Sequence, residues 1–298
     1  MTSAVQSHPD PARDGLRRVR ADGRALLTVA RAGDLFPLED TLAALLGRGR
    51  QALREAVARA LDGEPLAAPA ELLAPVDEQE VWASGVTYRR SATARQEESV
   101  VADVYARVYD ADRPELFLKA PAARVPPPGA PLRIRADSGW DVPEPELALV
   151  LDSAGEVAGY LVADDVSSRS IEGANPLYLP QAKTYDDAVG LSGTIVLAGA
   201  DGRDPARTAG IELEIRRGGE TVFAGRTSVE QMRRSFEELA EHLFRELSHP
   251  TGAVLLTGTG IVPPDEVTLA PGDVVRIAID GVGTLEHEIY RRAKEDPR

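Results

Sequence analysis

Asp141-Val142-Pro143-Glu144-Pro145-Glu146-Leu147-Ala148-Leu149-Val150-Leu151 is followed by Gly159-Tyr160-Leu161-Val162-Ala163-Asp164-Asp165 and then Val166-Ser167-Ser168-Arg169. Both stretches are short, apolar and bounded by turn residues, the pattern of buried strands. Alternate side chains of a strand share a face, so Glu144 and Glu146 point the same way. If the two strands pair as a hairpin, the end of the second lies beside the start of the first. Asp165 then stands next to Glu144 and Glu146. Three carboxylates together repel one another unless they are solvated, paired with bases or bridged by a cation. Oxygen ligands without Cys or a nearby His suit Mg2+ or Mn2+ better than Zn2+. The other reading is an acidic rim held by Arg133, Arg135 or Arg169.

Working outward, LALVL, VAGYLVA, GTIVLAG, GIELEIRR, ETVFAG, AVLLTG and VVRIAID read as short strands between Gly, Asp and Pro. Their connections are mostly too short for repeated βαβ units. The expected class is α+β, with a mainly antiparallel curved sheet over residues 79–292. A long helix is expected over 228–247, opened by Ser228 and Gln231 in capping-box spacing. Its buried stripe would be Val229, Met232, Phe236, Leu239, Ala240, Leu243 and Leu247. A second helix is expected over 92–110. Residues 15–75 read as a small α/β module: a hairpin about Asp22-Gly23, then two short helices split at Gly47 and Gly49. Residues 1–14 read as a disordered tail, and the Pro- and Ala-rich EPLAAPAELLAPVDEQ as a linker.

Composition narrows the function. The 298 residues carry 34 Lys plus Arg against 48 Asp plus Glu, a net charge of −14. That surplus argues against nucleic acid or an anionic membrane as partner, because both recruit basic patches. With no cysteine, thiolate nucleophiles, disulfides and zinc–thiolate sites are excluded. No apolar run approaches the length needed to span a bilayer, and the N-terminus lacks a secretory core. The expected location is cytoplasmic.

Several segments together resemble the fumarylacetoacetate hydrolase superfamily: SGVTY at 84–88, LFLKAP at 116–121, EPELALVL at 144–151, GYLVADDVSSR at 159–169, QAKTYD at 181–186, LTGTGIV at 256–262 and LAPGDVVRIAIDGVGTL at 269–285. They occur in the family's order over roughly residues 80–290. The resemblance implies a β-roll catalytic domain, a divalent metal on Glu144, Glu146 and Asp165, and a functional lysine at Lys183 in its Lys-x-x-Asp segment. It also implies a homodimer or homotetramer. Hydrolytic members have a Gly-x-Asn-Tyr-x-x-His segment whose His activates water. Here it reads Gly85-Val86-Thr87-Tyr88-Arg89-Arg90-Ser91. A serine near neutral pH cannot take a proton as imidazole does. His242, His249 and His287 read as structural.

The departure at Ser91 and the segment 170–183 are similar to the dehydratase branch of that superfamily. The implied substrate is a small 2-keto-3-deoxy acid, and the implied reaction is loss of its C4 hydroxyl to give 2,5-dioxopentanoate. Lys183 is the candidate for proton handling or enolate stabilisation; its alternative is an ion pair with Asp186 or Asp187. Glu97 and Glu98 are candidate acid–base groups, or simply the solvated first turn of a helix. Thr87, Arg89, Arg90, Ser91, Tyr160, Thr257 and Thr259 are the candidate substrate contacts. Hydrolysis or decarboxylation of a 2,4-diketo acid, and non-catalytic binding of a 2-oxo acid, stand as alternatives.

Overall fold

The computed structural model describes residues 14–67, 70–91, 93, 107–199 and 204–292. The tail at 1–13 lies outside the described residues, as does most of the helix expected over 92–110, Glu97 and Glu98 included. The predicted hairpin forms. Pro145–Leu151 pairs antiparallel with Val157–Asp165, Glu146 opposite Ala163 and Ala148 opposite Leu161. Pro145 stands at the first position of its strand, where a missing N–H is tolerated.

This hairpin is the middle of a seven-stranded sheet. The order is Val189–Leu191, Val157–Asp165, Pro145–Leu151, Ala253–Leu256, Glu80–Gly85 and Glu115–Ala120, with Val196–Leu197 also pairing onto Val157–Asp165. All its pairs are antiparallel except Ala253–Leu256 with Glu80–Gly85. A five-stranded sheet covers one face, in the order Glu220–Ser228, Gly210–Arg217, Val274–Ile279, Gly283–Arg291 and Leu132–Ile134. The fold is thus α+β and mainly antiparallel.

Both faces of the hairpin are covered, which is why its sequence is continuously apolar rather than alternating. Leu147, Leu149, Leu151, Tyr160 and Val162 pack toward the second sheet, against Ile211, Leu213, Ile277 and the helix Phe236–Phe244. Ala148, Val150, Leu161 and Ala163 pack the other way, against Leu16, Leu42, Leu45, Leu46 and Leu53 of the N-terminal residues. The N-terminal residues form the expected hairpin, Gly15–Ala21 with Arg24–Arg31, and two helices, Leu42–Gly47 and Arg50–Leu61. They share this core with the rest of the chain. Acids from outside satisfy the helix starts: Asp77 accepts from the N–H groups of Leu42 and Ala43, and Asp152 from that of Arg50.

Three expectations are corrected. The helix over 228–247 is shorter: Val229–Gln231 is one 3-10 turn, and the α-helix runs Phe236–Phe244 with Ser235 as its cap. Backbone pairing of Met232 with Tyr88, and of Arg233 N–H with the Thr87 carbonyl, pulls the chain out of helical geometry between the two. Leu247, expected in the buried stripe, is 44% exposed. The stretch read as a linker contributes the short strand Glu71–Leu72, paired with Gly15–Ala21. No helix among the described residues is long and apolar enough to cross a membrane.

Candidate active site

Strand parity sets the site. Glu146 and Asp165 lie on the face of Ala148, Leu161 and Ala163, at the open end of the hairpin where the apolar packing stops. The Asp165 N–H donates to the Glu144 carbonyl at 3.0 Å, which locks the two strand ends together. Carboxylate oxygens of Glu144, Glu146 and Asp165 lie within 4.8 Å of one another, and all three residues are buried.

Basic groups surround the cluster unevenly. Lys183 Nζ donates to Glu144 Oε2 at 2.8 Å and to Asp165 Oδ2 at 2.9 Å. Lys119 Nζ stands 2.6 Å from Asp165 Oδ1. Arg169 pairs with Glu144 Oε1 at 3.0 Å and with Glu172 at 3.0 Å. The Ser167 hydroxyl donates to Glu144 Oε1 at 2.9 Å. Glu146 has no ion-pair partner among the described residues; its donor is the Gly258 N–H at 2.5 Å. Burial, and then the Asp165 and Glu144 charges, hold the Glu146 carboxyl well above the usual carboxylate range. Burial pulls Lys119 below its ordinary value, while Asp165 beside it acts in the opposite sense.

The donor set fits a divalent cation. All three candidate ligands are carboxylates, as a hard cation requires. Asp165 Oδ1 meets the Lys119 ammonium at 2.6 Å, whereas Glu146 has only the Gly258 amide as donor among the described residues and keeps lone pairs for a cation. Glu144, Glu146, Asp165 and Glu172 also outnumber the buried cations Lys119, Arg169 and Lys183. The excess falls on Glu146.

The pocket above the cluster is walled by Gly85, Ser91, Glu115, Phe117, Glu172, Lys183 and Thr259. Of the predicted substrate contacts, Ser91 and Thr259 therefore reach it. The Ser91 hydroxyl donates to the Tyr88 carbonyl at 2.8 Å, and that of Thr259 donates to the Ile261 carbonyl and accepts from the Ile261 N–H, both at 3.2 Å, which leaves one further lone pair on Thr259. Thr87 and Thr257 act one layer back. Thr87 donates to the Thr257 carbonyl at 2.6 Å, and Thr257 to that of Leu147 at 2.8 Å. These bonds fix the turn that aims the Gly258 N–H at Glu146. Gly258 has φ +91, and a Cβ there would meet Thr87 Oγ1 at 2.1 Å, so only glycine fits.

Arg89 and Arg90 are solvent-exposed and do not line the pocket; the Arg89 guanidinium sits 5.7 Å over the Tyr109 ring. Tyr160 is on the wrong face. It is five residues from Asp165, an odd number, so its side chain points into the other core layer. There its hydroxyl donates to Asp204 and its ring packs 6.2 Å from that of Phe236. The alternative partners weighed for Lys183 are engaged elsewhere: Asp186 with Arg124 and Arg133, Asp187 with the Tyr290 hydroxyl.

Sequence reasoning missed Lys119, Glu115, Glu172 and the Gly258 amide, and treated Arg169 only as a partner for the acids. Lys119 had a legible signal. It sits in the apolar run Leu116-Phe117-Leu118-Lys119-Ala120, and a lysine inside a strand is almost never buried without a charged partner. Glu172 had none, because its placement depends on the short helix Arg169–Ala174 folding back over the strand ends.

Comparison with known proteins agrees with this architecture. Residues 80–290 match the family model described as fumarylacetoacetate (FAA) hydrolase C-terminal. The chain is 49% identical over 215 residues to a Haloferax volcanii protein named "Probable 2-keto-3-deoxyxylonate dehydratase", covering 72% of this chain and 73% of that one. It is 41% identical over 224 residues to the 2-dehydro-3-deoxy-D-arabinonate dehydratase of Saccharolobus solfataricus, covering 74% of each. Its fold matches a solved 2-keto-3-deoxy-D-arabinonate dehydratase complexed with magnesium and 2,5-dioxopentanoate, with a TM-score of 0.81 and 33% identity over 94% of this chain and 99% of that one. With the family model matched over residues 80–290, and with relatives this similar, the chain belongs to the fumarylacetoacetate hydrolase family.

Proposed function

We propose that the chain is a Mg2+- or Mn2+-dependent hydro-lyase that converts a 2-keto-3-deoxy-pentonate into 2,5-dioxopentanoate and water. The observation that carries this reading is a buried carboxylate triad in a chain so similar to a dehydratase solved with magnesium and 2,5-dioxopentanoate.

A divalent cation held by Glu144, Glu146 and Asp165 would supply Lewis-acid polarisation of a 2-keto acid. The remaining work belongs to the protein. Lys183 Nζ, at the pocket wall between Glu144 and Asp165, is the candidate for moving the C3 proton. As an amine it accepts that proton; as an ammonium it donates to negative charge developing on the substrate. Ser91 and Thr259 offer lone pairs to substrate hydroxyls. Glu97 and Glu98 stay in the proposal as acid–base groups for loss of the C4 hydroxyl. The burial of the triad excludes water, which strengthens each of these interactions.

The second reading, hydrolysis or decarboxylation of a 2,4-diketo acid, shares the same head group. Against hydrolysis, no histidine lines the pocket among the described residues. His287 is turned to the opposite face, paired with Asp164, and His249 packs against Trp82 and Phe244. A cytoplasmic location and a homodimeric or homotetrameric state complete the reading; light scattering on the purified chain tests the latter. For the reaction, the chain is incubated with Mg2+ and each stereoisomer of the substrate. Formation of 2,5-dioxopentanoate is expected from at least one. Its absence from all of them, with pyruvate (hydrolysis) or CO2 (decarboxylation) released from a 2,4-diketo acid, would replace the first reading by the second.

A further inference from the structure

Lys119 is fully buried, with 0% of its surface exposed, on the edge strand Glu115–Ala120. An ammonium has three N–H bonds and no acceptor capacity. The Lys119 ammonium has three oxygen neighbours, and they belong to two separate parts of the site. It donates to the Val166 carbonyl at 2.9 Å and to the Lys183 carbonyl at 2.6 Å, and it stands 2.6 Å from Asp165 Oδ1. The Asp165 side chain and the Val166 carbonyl close the end of the Val157–Asp165 strand. The Lys183 carbonyl ends the five-residue helix Leu179–Lys183. One residue on, the Thr184 hydroxyl donates to the Leu118 carbonyl at 2.7 Å, a second tie between that helix end and the same edge strand.

We infer that Lys119 is the positioning residue of this site, setting the side chain of Asp165 and the backbone of Lys183 in one register. The inference rests on the metal reading above. The geometry separates the two lysines by task. Lys183 gives its ammonium to two carboxylates and lies at the pocket wall, whereas Lys119 spends two of its three bonds on backbone carbonyls behind it. It is absent from the pocket lining. Groups that orient a metal ligand through hydrogen bonds or charge typically change metal affinity by about 10- to 100-fold when replaced.

The test is Mn2+ binding by calorimetry on the full chain without substrate, comparing wild type with Lys119→Gln and Lys119→Met. The glutamine keeps an N–H donor for the carbonyls and removes the charge beside Asp165. Affinity is expected to fall about 10-fold or more in both variants. Turnover lost by Lys119→Gln is expected to return as Mn2+ is raised, a rescue that a merely structural defect would not show. Binding by a folded Lys119→Gln chain within twofold of wild type overturns the proposal. So does a Lys119→Gln chain that fails to fold, which would assign the lysine to the sheet framework. A wild-type chain that binds no Mn2+ overturns instead the metal reading on which the proposal rests.

Discussion

The hairpin Pro145–Leu151 with Val157–Asp165 buries acids on both of its faces, and the two faces treat them differently. On one, Asp164 is matched group for group. Its Oδ1 accepts from the Glu144 N–H at 2.9 Å, and its Oδ2 meets His287 Nε2 at 2.8 Å. Burial raises its pKa, and the His287 contact offsets only part of that. On the other face, Glu144, Glu146 and Asp165 crowd together and Glu146 is left with an amide. A framework acid ends with its lone pairs satisfied. A binding acid ends with charge in excess, which costs stability until a ligand neutralises it.

The largest test of that contrast is Glu146→Gln. It removes a candidate metal ligand and also the like-charge repulsion. Turnover is expected to fall about 10^3-fold or more, given the several kcal/mol a Lewis acid supplies. The melting temperature in a chelator should rise at the same time. Unchanged activity and metal content would remove Glu146 from the ligand set.

On the opposite face the effects reverse. His287→Leu leaves Asp164 Oδ2 buried without its partner, and stability should drop by about 3 kcal/mol. Mn2+ affinity of the folded fraction should stay within about threefold. Denaturant unfolding and calorimetry read the two effects separately, and an unaltered unfolding midpoint would dissolve the contrast.

pH gives a third handle. The Glu146 carboxyl is held above its ordinary value, so the folded chain binds that proton more tightly than the unfolded one. In a chelator its contribution is favourable at low pH and is lost as pH rises through the raised range. Metal binding needs the carboxylate, so affinity should weaken as pH falls through that same range, by up to about tenfold per unit. Calorimetry over a pH series checks the sign, and a flat profile would detach Glu146 from the metal.

The smallest effect is expected from Tyr160→Phe. Losing the hydroxyl's bond to Asp204 should cost about 1 kcal/mol of stability and leave kcat and KM unchanged. A raised KM would return Tyr160 to the substrate contacts.

The residues most legible in the sequence are those whose relations are local. Glu144, Glu146 and Asp165 sit on two neighbouring strands with a short connection. Period-two alternation plus one hairpin is therefore enough to bring them together. The same alternation, counted from Asp165, also puts Tyr160 on the far face, so that misplacement was avoidable. The break at the start of the expected 228–247 helix was not. Its pattern continues through Met232, but backbone pairing with Tyr88, more than a hundred residues away, overrides it.

The sequence alone therefore determined the α+β class, the position of the carboxylate triad and the departure at Ser91, because strand period, turn residues and residue identity are properties of neighbours. Only the tertiary structure decided which cations meet which acids. Lys119, Arg169 and Lys183 come from three separate elements, and the Gly258 amide from a fourth. Buried charges are stable only when every partner arrives. Which partner arrives depends on how the strand ends, the short helices and the Gly-rich turn close over one another.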